Sequence, residues 1–188
     1  AQTGGPIQAG ADRPFLHPLF TDHMVLQRGL QTPVWGWTEP GQRVAVQMAG
    51  KTSQARVDRT GRWQAKIGPF QAGGPFTLTV SGPRSVTVTD VLVGDVWICS
   101  GQSNMEWPVA SSNNAQEEIA QADRAQIRLF TVPKRIAFEP MTGVESRWET
   151  CTPATAGRFS AVGYFFGRSL NQELGVPIGL INTSWGGT

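Results

Sequence analysis

The sequence predicts an α/β protein in two parts: an antiparallel, jelly-roll-like β-sandwich over residues 14–89, then a parallel-sheet α/β domain over residues 90–188. Three observations predict it. Short runs of β-forming residues alternate with turn signals as far as Thr89. A continuous apolar run, VLVGDVWICS, follows at residues 91–100. Beyond it, strand-like and helix-like patterns take turns, as they do in βαβ units.

In the first part the strand candidates are TPVWGWT, RVAVQMAG, KTSQARVD, RTGRWQAKIG, GPFTLTVSG and SVTVTDVLVG. Several alternate with period two: Val44 and Val46 against Gln47, and Phe76, Leu78 and Val80 against Thr77 and Thr79. Alternation of this kind marks strands with one buried face. EPG and DRTG between them are turns, because Pro pre-sets φ and Gly accepts positive φ. Regular spacing of short strands argues for a sandwich.

VLVGDVWICS has no polar alternation and predicts a strand covered on both faces. NNAQEEIAQAD predicts a short helix, with Asn113 or Asn114 as N-cap and Glu117 and Glu118 in the first turn, where the helix dipole favours acids. QIRLFTVP is a second strand, stopped by Pro133. FSAVGYFFGRSLNQELG is a helix capped by Ser160 and ended by Gly175, with Val162, Phe165, Phe166, Leu170 and Leu174 as its apolar face. VPIGLINTSWGGT is a third strand running into a glycine turn. Three parallel strands leave an edge and a flank to be covered, so the expectation is a larger fold completed by further polypeptide.

Charge and composition exclude some functions. A formal net charge of +2, with 16 basic and 14 acidic residues scattered along the chain, offers no basic patch for nucleic acid. No apolar run approaches the roughly 20 residues that span a bilayer, so no membrane helix is expected. The start, AQTGGPIQAGAD, has the small, polar character left after a secretory signal is removed, which predicts a secreted or periplasmic protein. Cys99 and Cys151 lack metal-ligand spacing, so no metal is expected; a disulfide and buried free thiols both stay open. Most of the seven tryptophans are expected in the core, with Trp107 and Trp185 as candidates for stacking on sugar.

Chemistry concentrates in CSGQSNMEWPV, residues 99–109. Ser103 follows a strand, at the carboxyl end where open α/β sheets bind their ligands. Its own N–H can face a developing oxyanion, and Gly101 lets the backbone turn tightly. Glu106 and Asp95 lie nearby; Asp95 is expected to hold the strand–loop junction by hydrogen bonds. Cys99 alternates with Ile98, so one of the two faces the core.

This block resembles the nucleophile block of the sialate O-acetylesterase family, carbohydrate esterases of the SGNH hydrolase superfamily. LHPLFTDHMVLQRG, PVWGWTEPGQRV, FSAVGYFFGRSL and VPIGLINTSWGGT are similar to further family blocks, in the family's order along the chain. The resemblance implies an N-terminal portion of such an enzyme, with the first part of a three-layer α/β/α domain after the sandwich. It implies Ser103 as the nucleophile that forms an acetyl-enzyme, without a cofactor. It also implies oxyanion donors from the N–H groups of Ser103 and of Gly186 or Gly187. Gln102, Asn104, Trp107 and Trp185 become candidate substrate-side residues, with Gln102 and Asn104 shaping the turn more than touching the acetyl group.

A serine nucleophile needs a base. The two histidines, His17 and His23, fall in the sandwich entry segment and are expected to be structural. Asp22 beside His23 is a poor orienting partner, since neighbours in a strand point to opposite faces. The catalytic histidine is therefore expected on a second polypeptide or a C-terminal segment, and this chain alone is expected to be inactive. Two other classes of function remain open at this point: a carbohydrate-binding module presenting tryptophans, and a structural piece in which Ser103 is vestigial.

Overall fold

The computed structural model describes residues 13–187; the polar start on which the expectation of secretion rests lies outside the described residues. The strands of the first part are β1 (Val25–Gln27), β2 (Thr32–Trp37), β3 (Arg43–Met48), β4 (Lys51–Arg56), β5 (Arg62–Ile67), β6 (Gly73–Ser81) and β7 (Ser85–Cys99). Then come α1 (Ser103–Glu106), a 3-10 turn at Val109–Ser111, α2 (Ala115–Ala120), β8 (Arg124–Thr131), β9 (Glu149–Cys151), α3 (Pro153–Ala156), α4 (Ala161–Leu174) and β10 (Ile178–Asn182). The fold is mixed α/β and rich in sheet. Every strand-like run of the sequence forms a strand.

One long sheet runs in the order β4-β3-β6-β7-β10-β8-β9, with β1 also paired to β7, and β2 and β5 form a separate antiparallel pair. Val34, Trp63, Ala65 and Ile67 of that pair meet Val44, Val46, Met48, Leu78, Val80 and Val88 of the long sheet in one core. Alternation supplies this core directly: in β3, Val44, Val46 and Met48 are buried while Arg43 and Gln47 are exposed.

Strand β7 joins the two parts. Its first half is antiparallel to β6. Its second half is parallel to β10, which is in turn parallel to β8. The residue 89/90 boundary falls inside this one strand. There Phe76 pairs with Val91 and Leu78 with Val88, so β7 carries an extra residue, and Asp90 adopts φ of +51°. This is a β-bulge, which sharpens the local twist and re-aims the strand. Asp22 pins it by accepting from the Thr89 N–H (2.6 Å) and hydroxyl (3.0 Å).

The helices gather on one face of the parallel strands, where Ile127, Leu129, Ile178, Leu180 and Cys99 meet Ala156, Phe159 and Tyr164. On the opposite face lie Val25 and Trp148, close enough to the β10 backbone that a Cβ on Gly179 would sit 2.8 Å from Val25. Among the described residues, helices cover a single face.

Two sequence expectations change. Helix α4 is capped by Ser160, whose Oγ accepts from the Gly163 N–H at 3.1 Å, and ends at Gly175 with φ of +63°. Its buried face, however, is Ala161, Gly163, Tyr164 and Gly167. Phe165 and Leu170 pack against the core, whereas Val162, Phe166 and Leu174 are exposed. Small residues bring α4 close to the sheet: a Cβ on Gly167 would lie 2.7 Å from Leu180. Strand β7 is likewise not covered throughout. Val91, Leu92 and Val93 are buried, but Trp97 and Ile98 are 44% and 70% exposed, since residues 95–99 have a strand partner, β10, along one edge. Cys99 is the residue that faces the core. Asn114 stands at the N-cap of α2, but in a left-handed conformation and without a capping hydrogen bond.

Candidate active site

The carboxyl ends of β7 and β10 carry the residues that the sequence singled out. Two hydrogen bonds continue the pairing past the strands, Thr183 N–H to Cys99 O and Trp185 N–H to Gly101 O, both 2.9 Å. Gly101, with φ of +152°, then turns the chain into α1, the single helical turn that begins at Ser103. The Gln102 and Ser103 carbonyls accept from the N–H groups of Glu106 and Trp107 at 2.9 Å. This turn leaves Ser103 exposed at the sheet end.

The following segment is anchored rather than loose. Trp107 O accepts from Ala161 N–H at 2.8 Å, and Val109 and Ala110 N–H reach the carbonyls of Phe159 and Gly157 at 3.0 and 2.9 Å. Trp107 stays 55% exposed, its ring oriented by an Nε1–H bond to Ser111 O at 2.9 Å. Ser103, Glu106, Trp107 and Pro108 line an open cleft of about 730 Å³, whose other side is formed by Thr131–Lys134, Arg158, Asn182 and Ser184.

The glycine turn lies against the serine. A Cβ on Gly186 would fall 3.4 Å from the Ser103 Cα and 2.6 Å from Glu106 Oε2, so a side chain there would displace the Glu106 carboxylate. Gly187 has φ of +79°, which favours glycine for a separate reason. Ser103, Gly186 and Gly187 are thus brought together at one sheet end. Gln102 is the N-cap of α1, Asn104 follows the serine on the exposed turn, and Trp185 bonds through its backbone to Gly101. The cleft is lined by Ser103 and Trp107 from the expected set.

Three cleft residues were not anticipated as a group. Asn182 and Ser184 are buried, and Asn182 Oδ1 accepts both the Ser184 N–H (3.0 Å) and hydroxyl (2.7 Å), which shapes the exit from β10. Glu106 accepts from Lys134 Nζ and from the Gly186 N–H, the latter at 2.5 Å. The Lys134 ammonium first, and the Gly186 N–H second, hold the Glu106 carboxyl below its ordinary range. The Asn-x-Ser spacing of 182–184 was a readable Asx-turn signal; the partners of Glu106 are too distant in sequence to leave one.

Both histidines lie away from this cleft. His17 packs against Trp35 and Trp37, with ring centroids 5.2 and 6.0 Å away, and burial lowers its pKa. His23 Nδ1 is 2.7 Å from Asp90 Oδ2, not paired with Asp22. Asp95 does hold its junction, accepting from Arg28 Nε and Nη2 at 2.9 Å each. Cys99 and Cys151 are both free and buried.

No family model matches the sequence. Curated relatives do match. The sialate O-acetylesterase of Mus musculus is 35% identical over 188 residues, covering 89% of this chain and 35% of the relative. Those of Rattus norvegicus and Homo sapiens are each 34% identical, covering 97% and 88% of this chain and 38% and 36% of themselves. A carbohydrate acetylesterase from Xanthomonas citri, known from its crystal structure, superposes with a TM-score of 0.89 at 44% identity, over 94% of this chain and 41% of that one. The fold therefore has its counterpart in a carbohydrate acetylesterase. The chain belongs, more narrowly, to the sialate O-acetylesterase family, and it spans about a third of the length of the curated relatives it matches.

Proposed function

We propose that this chain carries the nucleophile-bearing part of a serine esterase of SGNH type that removes O-acetyl groups from carbohydrates. In this reading Ser103 Oγ attacks the acetyl carbonyl carbon, the sugar oxygen leaves with a proton, and water then releases acetate from the acetyl-enzyme. Backbone N–H groups of Ser103 and of the glycine turn stabilise the oxyanion. Trp107, exposed on the cleft wall, offers an apolar face to the sugar ring. Sialic acid and acetylated plant-wall polysaccharides both fit as substrate sources.

The observation that carries the proposal is the packing of Gly186 against Ser103, which joins the two motif blocks at the end of a parallel sheet. The proton acceptor comes in this reading from polypeptide outside this chain, a second chain or a C-terminal segment. Exposed Trp97 and Ile98, on a stretch of β7 whose strand partner among the described residues is β10 alone, support a neighbour there. The test is acetate release from p-nitrophenyl acetate and from acetylated sugars by the full-length protein. Ser103→Ala is expected to abolish turnover; undiminished turnover sinks the mechanism.

A further inference from the structure

Gly186 has one N–H, and in this structure that hydrogen is already used. Glu106 Oε2 accepts it at 2.5 Å, while Oε1 takes Lys134 Nζ. While the bond stands, the Gly186 N–H cannot also donate to an oxyanion at Ser103. The local chain explains why a side chain fills this place. Cys99 and Gly101 serve the N–H groups of Thr183 and Trp185 with their carbonyls. The N–H groups between and beyond these alternate residues face away from β7 and are served by side chains: that of Ser184 by Asn182 Oδ1 at 3.0 Å, that of Gly186 by Glu106.

A bare carboxylate this close to Ser103 would oppose the negative charge of an oxyanion. Lys134 offsets it directly, and Arg158 lines the same cleft, itself bonded to Glu149 at 2.6 Å. An ionised acceptor also forms a shorter, stronger bond to an N–H than a neutral one. Resting on the reading of Ser103 as nucleophile, we propose that Glu106 is a positioning residue that clamps the glycine turn onto the nucleophile turn, so that Ser103 and Gly187, not Gly186, present the oxyanion N–H groups.

The test has two arms. In the first, the ¹⁵N-labelled 188-residue chain is titrated with acid. The Gly186 amide proton is expected far downfield at neutral pH, moving upfield as Glu106 is protonated below the ordinary glutamate range, and already upfield in Glu106→Gln. A Gly186 resonance indifferent to both acid and Glu106→Gln overturns the clamp. In the second arm, full-length variants are assayed with a small acetyl ester. Glu106→Ala is expected to lower kcat by about ten- to a hundredfold at nearly unchanged KM, the loss that follows a misplaced oxyanion donor. Glu106→Gln, which keeps an acceptor oxygen, is expected to recover most of it. An unchanged kcat in Glu106→Ala, or no rescue by Gln in a variant that remains folded, overturns the positioning role. Failure of the esterase reading is separately visible, as turnover that survives Ser103→Ala while the Gly186 titration stands.

Discussion

Asp90 and Arg128 meet in a two-pronged ion pair, Arg128 Nη1 to Asp90 Oδ2 at 2.6 Å and Nη2 to Oδ1 at 3.1 Å. The pair bridges β7 and β8, which the sheet order separates by β10. Arg128 is 4% exposed and spends its remaining donors on the carbonyls of Ala125 and His23. Asp90 is the bulge residue, so the ion pair fixes the point at which the long strand passes from its antiparallel to its parallel half.

Asp90→Asn leaves a buried guanidinium without its counter-charge. Breaking a fully buried pair costs roughly 3–5 kcal/mol; water reaches a third of the Asp90 side chain, which reduces the expected cost to about 2 kcal/mol. Arg128 chiefly, and His23 after it, hold the Asp90 carboxyl below its ordinary range, against the opposing effect of burial. The contribution is therefore complete above the unfolded aspartate value near 4 and is lost as pH falls through the lower folded value. Urea melts at stepped pH are expected to show an acid loss of stability that is smaller in Asp90→Asn. Parallel curves for the two proteins would refute this.

Ser160→Ala removes the α4 cap and leaves the Gly163 N–H without its acceptor. Loss of a cap costs about 1 kcal/mol, or a drop in Tm of about 2–4 °C for a domain of this size. Calorimetry checks it, and Ser160→Asp, which restores an acceptor, is expected to recover part of the loss if its extra volume fits beside Met105, 3.4 Å away.

The thiols are expected to be silent in the folded chain. Burial raises the Cys99 pKa and pushes that of Cys151 up to about 11, which removes the reactive thiolate. Ellman's reagent at pH 8 is expected to find almost no thiol in the native protein and two per chain in urea, matching the two cysteines of the sequence. Rapid native labelling, or a missing pair in urea, would contradict the buried free state.

Trp107→Ala tests the proposed contact between the cleft wall and a sugar ring. The ring is more than half exposed, so its removal is expected to leave Tm nearly unchanged. With an acetylated oligosaccharide, KM of the full-length enzyme is expected to rise about tenfold, equivalent to roughly 1.4 kcal/mol of binding, while p-nitrophenyl acetate is turned over as before. A loss equal for both substrates would assign Trp107 to the frame of the site.

The strand pattern was legible because alternation and turn chemistry are local. Val44, Val46 and Met48 announce a half-buried strand within six residues. The face of α4 was misread for an equally physical reason: hydrophobic periodicity weights Val162 and Phe166 over Gly163 and Gly167, yet close approach to Cys99 and Leu180 selects the glycines. Phe166 instead stands edge-on to Trp97, with ring centroids 5.1 Å apart. β1 and β9, three residues each, are too short to carry a period. At the site, Ser103 stood out through its motif, whereas the Glu106 contacts reach 28 residues to Lys134 and 80 to Gly186. Interactions over such separations exist only once the fold has formed.

The fifteen residues of β7 run without interruption from the antiparallel ladder to the threshold of Ser103. Dissecting such a protein into an accessory module and a catalytic core is a common first experiment. Here a cut between residues 89 and 90 would pass through a hydrogen-bonded beam, part His23 from Asp90 and Arg28 from Asp95, and expose two raw sheet edges. Shuffled or truncated versions that respect this beam, keeping residues 14–99 as one piece, are the ones expected to stay in solution.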